Sequence, residues 1–172
     1  MILGLSLQAF VASHVALSLV ALLSGAAVVR NLFASRTPAG ITALFLATTI
    51  ATSAGGFLFP SARVGLGHVV GAVSLVVLLP TVLAIYGGHL AGPWRWIYAA
   101  GAIAALYLNA VIAVAQTFMK VPVLRPLAYS LTAPSFLLAQ AALAALFIGL
   151  GVVALRRLHP EHHPPHSVLH PV

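Results

Sequence analysis

Twenty-two residues, Gln8 to Val29, pass without a charged side chain, and four more long apolar runs follow. These cover about residues 39–59, 66–86, 94–118 and 134–155, and Arg95, near the start of the fourth run, is the one charge in them. A helix needs about 20 apolar residues to cross a bilayer, so each run is long enough. The rest of the chain could not cover such runs in water. Of 172 residues, 62% are hydrophobic and 5% charged, and the mean hydropathy is +1.11, whereas soluble chains carry about 25% charge. The sequence therefore predicts an all-α integral membrane protein. The expected architecture is a five-transmembrane-helix antiparallel bundle in one domain, residues 1–155, followed by a disordered His- and Pro-rich tail, 156–172.

The connections are short except that from Met119 to Ala133, and short loops make consecutive helices antiparallel neighbours. Pro38 suits a helix start. Pro80 should kink the third helix. Trp94, Trp96 and Tyr98 around Arg95 read as an interfacial belt. No basic segment precedes the first run, and the run is longer than a signal peptide's core, so a retained helix is expected. With the N-terminus outside, inner loops hold Arg30, Arg36, Arg95, Arg156 and Arg157, and outer loops hold Arg63, Lys120 and Arg125. Five cations against three favour N-terminus out and C-terminus in.

Two shortages exclude much chemistry. There is no Cys, and Glu161, in the tail, is the single carboxylate. Thiolate catalysis, Fe–S clusters, carboxylate proton relays and di-iron sites therefore lack their side chains. Ser18 lies one turn from His14, but no acid exists to orient the imidazole as a hydrolytic base. No inverted repeat or coupling acid suggests an ion-coupled transporter. The net charge of +7 is scattered between apolar runs and carries no nucleic-acid-binding module. The expected surroundings are the lipid bilayer and, potentially, other membrane subunits.

The polar residues inside the runs are informative once placed by depth, at about 1.5 Å of rise per residue. His14, His68 and Gln140 lie a few residues into odd-numbered helices. Thr52 and Gln116 lie a few residues from the exits of even-numbered ones. All fall in the half of the bilayer entered first by the chain, with Asn109 near the midplane and Lys120 at the edge. The expectation is a polar cavity lined by His14, Ser18, Thr52, His68, Asn109, Gln116 and Gln140, with Lys120 at its rim. The plainer alternative is that the hydroxyls bond their own helix and the amides act as interhelical glue. Small residues should set close helix contacts: Gly67 and Gly71, Gly101 and Ala105, Ala21 and Gly25.

His14 and His68 also suggest a pair of axial ligands for a b-type haem, because two imidazoles facing across a bundle can hold the iron. The tail residues His159, His162, His163, His166 and His170 are metal-ligand types, but a disordered tail makes a weak site.

The motifs ALFLATT (43–49), GPWRWIY (92–98), ALYLN (105–109), QTFMKVP (116–122) and PSFLLAQ (134–140) resemble a group of small bacterial polytopic inner-membrane proteins. The resemblance spans the second to fifth helices. It implies a bacterial cytoplasmic membrane and a four- or five-helix bundle, and no activity. In that group the segment before the fifth helix is more polar and bears an acid; here it reads YSLTAPS.

Three functions remain open. The first is a non-catalytic accessory or interaction subunit of a membrane assembly, redox or pigment-bearing. The others are a haem protein using His14 and His68, and a binder or carrier of a small amphipathic ligand.

Overall fold

The computed structural model describes residues 1–60, 64–127, 130 and 132–157. Arg63 and residues 158–172, including the tail histidines, lie outside the described residues. Five helices form: α1 (Leu7–Phe33), α2 (Ala39–Gly55), α3 (Leu66–Tyr86), α4 (Trp94–Lys120) and α5 (Pro134–Arg157). Each is long and apolar enough to cross a membrane, α2 together with the turn that carries its run to Leu58.

Local chemistry sets the ends. The Ser6 side chain accepts from Ala9 N at 3.2 Å and caps α1. The helix runs past Val29 through Arg30 and Asn31, because a cation in the last turn suits the negative end of the helix dipole. Pro38 and Pro93 immediately precede α2 and α4, where a missing N–H costs nothing. A short 3₁₀ turn, Gly56–Leu58, finishes the second apolar run. α3 passes through Pro80 unbroken. α5 continues through Arg156 and Arg157, so those two residues belong to the helix rather than to the tail. Arg157 Nη1 donates to Phe33 O at 3.0 Å, satisfying a carbonyl that the end of α1 leaves open.

The helices do not share their contacts evenly. α1 packs on α2, α2 on α3, α3 on α4 and α4 on α1, which makes a ring of four. α5 packs mainly on α4 and only lightly on α1. It therefore sits outside the ring, and Leu138, Leu146 and Ile148 on it are exposed.

The main core is also one-sided. Val28, Leu32, Phe45, Leu78, Tyr98, Ala102 and Leu106 are buried together. They come from the ends of α1 and α3 and the starts of α2 and α4. Small residues close this half. A Cβ on Gly25 would stand 2.6 Å from Leu106 Cδ1 and 2.7 Å from Phe45 Cε2, and one on Gly101 would overlap the Thr81 hydroxyl. Thr42 and Tyr98 share a hydrogen bond of 3.1 Å across the ring. In the other half the buried residues are mostly small or polar, among them Thr49, Thr52, Ser53, Gly71, Ser74 and Ala115.

Candidate functional site

In that looser half, α1 to α4 enclose a cavity of about 770 Å³. Val11, Val15, Leu19, Leu22, Val70 and Ile112 supply apolar wall. His14, Ser18, Thr52, His68, Asn109, Gln116 and Lys120 line it too. Lys120 follows Asn109 by 11 residues on α4, so the cavity extends over about 16 Å of helix. Its size lies within the range of about 300–1,000 Å³ common to small-molecule sites.

Most of its hydroxyls are satisfied locally. Ser18 donates to His14 O at 2.9 Å, Thr52 to Thr48 O at 3.0 Å and Thr117 to Ala113 O at 2.7 Å. These are the i−4 bonds by which membrane helices absorb hydroxyls. Asn109 Nδ2 donates to Thr49 Oγ1 at 3.3 Å, an amide joining α4 to α2 across the ring. Of the described residues, none hydrogen-bonds the His14 ring, the Gln116 amide or the Lys120 ammonium. These three unpartnered groups gather from two helices toward one end of an apolar-walled space.

His14 is held by aromatic packing. Its ring stands edge-on to Phe59 at 5.0 Å, and Phe10 and Phe59 contact each other at 4.9 Å. Gly55 leaves room for it: a Cβ there would lie 3.4 Å from His14 Nδ1. His68 plays a local part. Gly65 N donates to His68 Nδ1 at 3.3 Å, closing the first turn of α3, and the ring stands edge-on to Phe57 at 5.7 Å. An Nδ1 that accepts a hydrogen bond places the proton of a neutral imidazole on Nε2. Neither nitrogen is then bare for iron. His14 and His68 do line one cavity, but an axial role for His68 requires breaking the bond that starts its helix.

Gln140 requires a correction. It does not line the cavity. Its Nε2 donates to Val111 O at 3.2 Å from the outer side of α4, and its buried Oε1 has no partner among the described residues. Depth along a helix does not say on which side of α4 the fifth helix packs. Gly67 also departs from expectation. A Cβ on Gly71 would stand 3.1 Å from Ser53 O, while one on Gly67 would meet open space, and Gly67 lines the cavity.

Ser53, at the same depth as Thr52 in the sequence, also lines this space, as do Ser74 and Phe59, which sequence reasoning passed over. Ser74 was findable, because Gly67, Gly71 and Ser74 recur four and three residues apart and so share one helix face. Phe59 was not, since the turn after α2 has no periodic signal. No protein-family model, curated protein or solved structure matches the chain, and the arrangement must be interpreted from its own residues.

Proposed function

We propose that this chain is a multi-pass protein of a bacterial cytoplasmic membrane that binds a small amphipathic molecule between α1, α2, α3 and α4. Its helices would cross in alternating directions, N-terminus out and C-terminus in, as the distribution of Arg and Lys favours. The observation that carries the proposal is the division of polar groups around the cavity. The hydroxyls of Ser18, Thr52 and Thr117 are satisfied within their own helices, whereas His14, Gln116 and Lys120 have no hydrogen-bond partner among the described residues. A polar group without a partner is costly in an apolar setting, and of the three the half-buried His14 ring carries that cost most directly, since Gln116 and Lys120 are exposed. An amphiphile with an anionic or acceptor-rich head would meet these three groups. Its apolar body would lie along Val15, Leu19, Leu22 and Ile112. Nothing in this constellation performs a covalent step, so binding or carriage fits better than catalysis.

The test is native mass spectrometry of the full chain extracted in mild detergent, with bound small molecules released and identified. The expected result is a retained amphiphile that Val15→Trp, which fills the wall, displaces. The same molecules in the same amounts on both proteins would end the proposal.

A second reading has its own observation. The outward face of α5 exposes Leu138, Leu146 and Ile148, and α5 has little contact with the ring beyond α4. An accessory subunit beside other membrane proteins would present such a face. A stable heteromeric complex in mild detergent, lost on substituting Leu138 and Leu146 by Ala, would support it. A haem on His14 and His68 is the third, and it has the His68–Gly65 bond against it. A Soret band in the purified protein would reverse that order.

A further inference from the structure

At the opposite end of the ring lies a second recess, of about 280 Å³, remote from the proposed amphiphile cavity. It is lined by Arg36 from the connection between α1 and α2, and by His89 and Arg95 from the connection between α3 and α4 and the start of α4. Buried Tyr98 forms part of its lining and is fixed by its bond to Thr42. Among the described residues no carboxylate side chain exists, because the single one in the chain is Glu161. Neither guanidinium has a hydrogen-bond or ion-pair partner there. Two arginines from different connections thus border one recess, and no described residue offers them a counter-charge.

The backbone around them is unusual. Ser35 (φ 51°), His89 (φ 48°) and Leu90 (φ 57°) are non-glycine residues in the left-handed region, and all three line this recess. Such conformations persist only where surrounding structure enforces them, and they concentrate at ligand sites. His89 Nδ1 lies 3.1 Å from Gly87 O. A carbonyl can only accept, so Nδ1 is the donor, and Nε2 of the neutral ring is an acceptor that can take a hydrogen bond from the P–OH of a protonated phosphate but cannot donate to a bare oxygen. α2 and α4 both begin beside the recess with no acid in their first turns and no side-chain cap, which adds two positive dipole ends.

We propose that this recess is a binding site for a phosphate-type oxyanion, held by the forked donors of Arg36 and Arg95 with His89 beside them. Guanidinium forks match tetrahedral oxyanions with paired, charge-assisted hydrogen bonds. The recess exceeds a bare phosphate, so a phosphomonoester group fits it as well as the free ion. The phosphate belongs either to a soluble molecule or to a lipid headgroup, and the two sources are separable.

The full chain is purified in uncharged detergent and titrated calorimetrically with inorganic phosphate. In parallel it is placed in phosphatidylcholine nanodiscs with or without phosphatidic acid, and retained lipid is read by native mass spectrometry. Binding of free phosphate identifies a soluble source; retention of phosphatidic acid alone identifies a headgroup. In either arm Arg36→Gln with Arg95→Gln should weaken binding at least about tenfold, as expected for losing two charge-assisted contacts. Arg30→Gln with Arg156→Gln removes equal charge from the same end and should change binding by less than about twofold. If the Gln pair fails to fold, Arg36→Lys with Arg95→Lys keeps the charge, loses the fork and should still weaken binding. No binding in either arm, or an equal loss in the charge-matched control, overturns the site.

Discussion

Asn109 and Thr49 join two helices that are not neighbours in the ring. The Asn109 amide donates to the Thr49 hydroxyl at 3.3 Å, and α4 is thereby linked to α2 across the bundle. Thr42 lies seven residues before Thr49 on α2 and makes the corresponding link to Tyr98 at the tighter end. Two cross-ring bonds thus bracket the place where the packed half gives way to the cavity. Interhelical bonds of this kind contribute about 0.6–2 kcal/mol in membranes. Asn109→Leu should lower stability by about 1 kcal/mol. Thr49→Val should cost a similar amount, and the double variant little more than either alone. Thermal unfolding in detergent measures all three. Fully additive losses would mean that the two side chains do not act as a pair.

Gly101 faces the Thr81 hydroxyl, which is committed to Val77 O at 2.7 Å. A methyl group there must displace a β-branched side chain in the best-packed part of the protein. Gly101→Ala should therefore destabilise by about 1–3 kcal/mol, the usual cost of overpacking. Thr81→Ala in the same chain should restore most of the loss. Denaturation midpoints of the single and double variants check this. An innocuous Gly101→Ala would show that α3 and α4 lie farther apart here.

Gln116 and Lys120 are exposed on the cavity side of α4 and make no hydrogen bond to a described residue. Gln116→Leu with Lys120→Ala should leave the melting temperature nearly unchanged, since no internal contact is lost. Retention of a co-purified amphiphile should fall about tenfold, corresponding to about 1.4 kcal/mol of binding energy. A large drop in melting temperature with unchanged retention would assign the pair a structural role.

His68 accepts the Gly65 N–H that closes the first turn of α3. His68→Ala should cost about 0.5–2 kcal/mol, the range for losing a helix cap. His68→Asn, which keeps a short acceptor, should recover part of it. Purified wild-type protein should show no Soret absorbance. A Soret band that disappears in His68→Ala would place the imidazole on iron instead.

How much of this was legible in the sequence depends on the kind of information each element needed. Five helices were readable because uncharged runs such as Gln8–Val29 leave no other use for the chain. The cavity residues His14, Thr52, Asn109 and Gln116 fall at matching depths, and helical rise is a fixed quantity. Rotation about the helix axis is not fixed in that way. Gln140 lies on a helix outside the ring, and a loop length cannot choose between packing inside or outside its neighbours. The arginine recess was overlooked for another reason. Arg36 and Arg95 are 59 positions apart and each alone reads as an interfacial anchor. Their convergence comes from two loops turning back through left-handed Ser35, His89 and Leu90, which no periodic pattern announces.

The uneven packing of the ring has a mechanical consequence. Four helices clamped where Phe45, Leu78, Tyr98 and Leu106 meet, and loose beyond Asn109, behave as levers with a common fulcrum. Splaying their free ends bends the helices but strips little apolar contact, because so little is there to strip. Entry of a bulky molecule then costs elastic strain rather than partial unfolding. The stiffness of α1 and α4 near His14 and Gln116, more than the strength of the core, would set how large a molecule can enter and how fast it leaves.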